Sequence, residues 1–139
     1  MHRQKSTITI IMLACLAPPL ALATADANQA IDTASKHAQM AVDSLNKTTA
    51  DKHLHHVINC LVGPAGKSFD AAFENPCAGM GKGALIDIQN KAEKAQLEKA
   101  LAEAEKGLKA KSYEATQVDA KRTFKTLQHV LSMEATGQQ

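Results

Sequence analysis

Apolar residues recur every third or fourth position along four stretches of this chain, and one glycine- and proline-rich segment divides them into two pairs. That spacing puts apolar side chains on one face of an α-helix. In the first stretch, over about 28–46, the stripe is Ala27, Ile31, Ala34, Ala38, Val42 and Leu45. The second, capped by Thr48 or Thr49, turns Ala50, Leu54, Val57, Ile58 and Leu61 inward and stops at Gly63-Pro64. The third, over 84–110, uses Ile88, Ala92, Ala95, Leu97, Ala100, Leu101, Ala104 and Leu108. The fourth, over 113–133 with Ser112 as its N-cap, uses Ala120, Phe124, Leu127 and Leu131. Short polar turns join the members of each pair, and short turns make antiparallel neighbours. The expectation is an all-α domain over 26–139: an up-down four-helix bundle of two helical hairpins, with an insert at 63–83 between them. A constant offset sets Ala41 against Ala104 and Leu45 against Leu108, a weak internal repeat.

The first 25 residues read differently. His2, Arg3 and Lys5 form a basic start, Ile8 opens an apolar run broken by Pro18-Pro19, and Ala23-Thr24-Ala25 is a small-x-small cleavage signature. This is the pattern of a signal peptide, and the run is too short and proline-broken for a good membrane span. The expected address is the periplasm, with no membrane attachment after cleavage. A lipoprotein cleaved before Cys15 ranks second, because Met12-Leu13-Ala14 is a poor lipobox. Removing the leader leaves Cys60 and Cys77, and an even pair in an exported protein implies a disulfide. Such a staple contributes on the order of 3 kcal/mol by loop-closure entropy. A small alanine-rich core gains from it.

Composition removes several functions. Aromatic residues make up only 3% of the chain, with no Trp, so no platform exists for stacking bases. Loss of Arg3 and Lys5 with the leader leaves basic and acidic residues in balance, and no strong attraction to nucleic acid survives. No C-x-x-C-H is present for haem attachment, Gly79-x-Gly81-x-Gly83 lacks the setting of a phosphate loop, and no nucleophile–base pair stands out. The chain reads as non-catalytic.

The histidines point to metal. His53 and His56 lie one turn apart on one face of the second helix, so two imidazoles there can share an ion. His37, on the first helix, faces them across an antiparallel hairpin as a third ligand; Asp51 or Asp43 is an alternative. His55 points to the other side, and the second hairpin carries only His129. Imidazole, with or without carboxylate, suits Cu(II), Ni(II) or Zn(II). Ordinary imidazoles would lose such an ion steeply between about pH 7.5 and 5.5.

The stretch Lys36-His37-Ala38-Gln39-Met40-Ala41-Val42-Asp43, followed by Ala50-Asp51 and then His56, resembles the repeat unit of the bacterial small metal-binding protein family. That resemblance implies a periplasmic four-helix bundle, with His37 and His56 at family histidine positions. Ser44, Thr49, Gly107, Ser112 and Asp119 stand where the family tends to carry histidine, so what it implies is one or two metal sites. It does not cover the insert. A rival reading from another class makes the insert a protein-docking surface anchored by Phe69, Phe73 and Met80.

Overall fold

A computed structural model describes residues 19–136, with side chains over 26–136. The expected leader therefore lies largely outside the described residues. Those residues form five helices and no strand: α1 (Pro19–Asp43), α2 (Lys47–Val62), α3 (Ala84–Asp87), α4 (Lys91–Lys109) and α5 (Tyr113–Thr136). No helix among them is long and apolar enough to cross a membrane. The helix α1 packs on α2 and α5, and α4 packs on α5 and α2. Gln117 Nε2 donates to Ala41 O at 2.8 Å and Gln128 Nε2 to Ser35 Oγ at 2.8 Å, tying α5 along α1.

Small residues make the inner face of α1. Ala27, Ala30, Ile31, Ala34, Ala38 and Ala41 are fully buried. The expected stripe ends with half-buried Val42, which packs against the core, because α1 ends at Asp43 and Leu45 lies in the turn, 92% exposed. Asn46, rather than a threonine, caps α2: its side-chain oxygen accepts from Thr49 N at 2.9 Å. Asparagine is among the strongest N-caps, and its position starts the helix before either threonine can cap it.

The expected third helix is divided. Ile88 turns extended after α3, and Asn90 Oδ1 accepts from Ala92 N at 2.8 Å and Glu93 N at 3.2 Å, restarting the chain as α4. The restart rotates the face: Glu93, Leu97, Ala100, Ala104 and Gly107 are buried, while Ala92 and Ala95 are exposed. Gly107 is a contact point between helices, where a Cβ would stand 2.8 Å from Leu54 Cδ1.

The inner face of α5 carries more threonine than its leucines suggest. Thr116, Thr123 and Thr126 are buried beside Ala120, Leu127 and Val130. Their hydroxyls donate to Gly107 O (3.1 Å), Asp119 O (2.9 Å) and Glu103 Oε2 (2.8 Å), which offsets the cost of burying them.

The insert closes on itself at the end of α2. Gly63 has φ +66°, and a Cβ there would meet Lys82 O at 1.7 Å, so its ends touch through a position open only to glycine. Cys60 and Cys77 form the expected disulfide. Phe69 and Met80 pack against the core. The insert explains why α2 is buried all round from His56 to Val62 instead of along one stripe.

Candidate metal centre

Three helix positions bring three imidazoles together. His37 comes from α1, and His53 and His56 come from one face of α2. The Nδ1 of His37 lies 3.3 Å from Nδ1 of His53 and 3.2 Å from Nδ1 of His56. One ligand nitrogen from each ring lies within 4.8 Å of the others. The His37 and His56 rings meet edge to face with centroids 4.7 Å apart. His56 is buried, and the other two are partly buried.

The geometry creates a hydrogen-bonding conflict. A ring nitrogen carries one proton or one lone pair, so it makes one good hydrogen bond. His37 Nδ1 faces two other Nδ1 atoms at hydrogen-bond distance. One proton cannot serve both contacts well, whereas a cation at the centre accepts all three lone pairs. Two nitrogens each about 2.0–2.1 Å from a tetrahedral metal stand roughly 3.3 Å apart. That is the spacing seen around His37. His56 Nε2 is buried with no hydrogen-bond partner among the described residues, so the polar contact of this ring is the one at the cluster.

Burial, more than neighbouring charge, favours the neutral form of all three rings. Burial lowers the His37 pKa to about 4, helped by charge on His56 and His53 and opposed by Glu74. Burial also lowers His53, with a further push from Lys52. His56 is lowered by burial and then by His53 and Lys52, against Glu74. Neutral imidazole is the form that binds metal. The window of proton competition expected for ordinary imidazoles therefore moves to lower pH.

The other sequence candidates lie elsewhere. Asp51 accepts from Lys47 Nζ at 2.7 and 2.9 Å, and Asp43 Oδ1 accepts from Gln39 Nε2 at 2.9 Å; neither belongs to the group of converging ligand atoms. Cys60 is disulfide-bonded and is not a thiolate. His55 points away, as its helical position requires: its ring stacks on Phe73 at 3.8 Å and its Nδ1 lies 3.4 Å from Asp70 Oδ2. His129 is exposed on α5. Phe69, Phe73 and Met80 all make contacts within the chain.

Two residues were not legible in advance. Asn59 is fully buried, and its amide nitrogen donates to Asp70 O (3.0 Å), Phe73 O (3.3 Å) and Glu74 O (3.3 Å). Its oxygen accepts from Asp70 N at 2.9 Å. It pins the insert to α2 one turn beyond His56. The signal was a lone amide within Val57-Ile58-Asn59-Cys60-Leu61-Val62. Glu74, on the pinned segment, acts electrostatically on His37 and His56, and nothing in its local sequence marks it.

An open groove lined by Met40, Asp43, Ser44, Leu45, Asn46, Thr49 and His53 gives solvent a way to His53 from the α1–α2 turn. The cluster could hold a metal ion. No protein family, curated protein or solved structure matches this chain.

Proposed function

We propose that this protein binds a divalent transition metal ion, Cu(II), Ni(II) or Zn(II), through His37, His53 and His56. The observation that carries the reading is the convergence of Nδ1 atoms at 3.2 and 3.3 Å around His37. Three neutral nitrogen donors suit these borderline ions better than Mg(II) or Ca(II), which prefer oxygen. The proposed setting is an exported, non-catalytic up-down four-helix bundle, consistent with a disulfide that persists in oxidising compartments. The resemblance to the small metal-binding protein family points the same way. A partly exposed His53 beside an open groove suits exchange of the ion, hence buffering or carriage. The inward packing of Phe69 and Met80 favours the insert as cover for the end of α2.

Calorimetric titration of the mature chain with Zn(II), Ni(II) and Cu(II) tests this. One equivalent should bind, and the His37→Ala/His56→Ala variant should lose roughly a hundredfold or more in affinity, since even outer-shell partners are worth 10–100-fold. The same affinity in the variant removes the triad from metal binding.

A further inference from the structure

We infer that Met40, standing beside His53 in the groove between α1 and α2, is a soft donor to this centre, so that the site takes copper as Cu(I) as well as a divalent ion. The inference rests on the metal reading above. The ring contact of His37 with His53, centroids 5.5 Å apart, sets residue 37 of α1 opposite residue 53 of α2. Met40 stands three positions beyond His37, toward the turn between the helices, and residues three apart are neighbours on a helix surface. The antiparallel hairpin therefore carries it to the stretch of α2 between Thr49 and His53. The groove agrees with that register: Met40 lines it from α1, and Thr49 and His53 line it from α2. Ser44 Oγ donates to Met40 O at 2.7 Å and holds the end of α1 that presents the side chain.

Packing does not account for a methionine there. Met40 is 47% exposed and takes no part in the hydrophobic core, whereas the opposite face of α1 is built of buried alanines. The other sulfurs among the described residues are placed elsewhere. Cys60 and Cys77 are joined to each other. Met80 packs against the core, and its Sδ accepts from Thr33 Oγ1 at 3.6 Å. Met133 lies near the end of α5. Thioether sulfur is soft and selects Cu(I), and imidazole accepts copper as well as zinc. Zinc takes thiolate, imidazole and carboxylate, so a thioether adds little for it. The methionine side chain turns about three bonds and adapts to an irregular space, so its sulfur can follow the groove without backbone movement. The chemistry is coordination alone: a sulfur lone pair joins the imidazole nitrogens at the ion, displacing solvent, and no electron is transferred.

The test compares wild type with Met40→Leu, a swap of similar volume at an exposed position. Each mature protein is titrated with Cu(I), kept reduced by ascorbate, against a chromophoric Cu(I) chelator, and with Zn(II) against a zinc chelator. Met40→Leu should weaken Cu(I) binding by about tenfold or more and leave Zn(II) affinity unchanged. With Ag(I), a redox-inert stand-in for Cu(I), the ε-methyl NMR signal of Met40 should shift and saturate at one equivalent, while those of Met80 and Met133 stay. Equal Cu(I) affinity in the two proteins overturns the assignment. So does an equal loss for Zn(II), a Met40 methyl that stays unmoved, or a Met80 methyl that moves in its place. Wild type that binds Zn(II) but not Cu(I) overturns it while the metal reading stands. Failure to bind either ion overturns the metal reading itself, and this assignment with it.

Discussion

Asn59→Ala should destabilise the protein by about 2–4 kcal/mol, measured by urea denaturation with the disulfide intact. The side chain is fully buried and serves three carbonyls and one amide of the insert. Alanine leaves these groups to find water in a closed corner, and each buried polar group left unsatisfied costs about 1–3 kcal/mol. The disulfide keeps the insert tethered, which limits the loss. Amide hydrogen exchange should then rise across the insert before it rises in α5. A change below about 1 kcal/mol would show that the insert is held by Cys77 and its apolar contacts alone.

The pH profile of metal affinity should be flatter than three ordinary imidazoles allow. Three ligands with pKa near 6.5 would together lose about a thousandfold in affinity between pH 7.5 and 5.5. His37 is held near 4, so it takes up almost no proton over that range. His53 and His56 are also lowered, chiefly by burial. The expected loss is under about a hundredfold, with the steep fall displaced below pH 5.5. The metal-free fold should respond too. Its histidines bind protons more weakly than those of the unfolded chain, so protonation favours unfolding. Stability is undiminished above about pH 6.5 and falls as the pH drops toward 4. Chelator competition across pH 4.5–7.5 and urea midpoints over the same range, metal-free, check both statements. A thousandfold loss by pH 5.5 would mean that the rings are solvated.

Helical periodicity is a local property, and for that reason much of the hairpin carrying the site was readable. The buried stripe from Ala27 to Ala38 and the facing of His53 with His56 both follow from the pitch of a helix. His37 follows from pairing two helices across a short turn. What resisted reading depended on competition between side chains or on distant chain. Asn90 captures two backbone amides and divides a periodic segment that propensity alone would continue. The same segment then buries Glu93 in place of Ala92 and Ala95. The threonines of α5 look polar in sequence but satisfy their hydroxyls internally. The insert lies over α2 only because Asn59 and a disulfide bring it back. No spacing rule connects residues in a glycine-rich loop to a helix they fold over.

The most direct measurement is a long-range proton–nitrogen NMR correlation of the imidazole rings during titration of the mature protein with Zn(II). The Nδ1 resonances of His37, His53 and His56 should shift together and saturate at one equivalent, because those are the atoms that converge. His55, stacked on Phe73, and His129, exposed on α5, should keep their positions. Shifts centred on His55 or His129, or a triad that stays unmoved while zinc binds, would contradict metal binding at this centre.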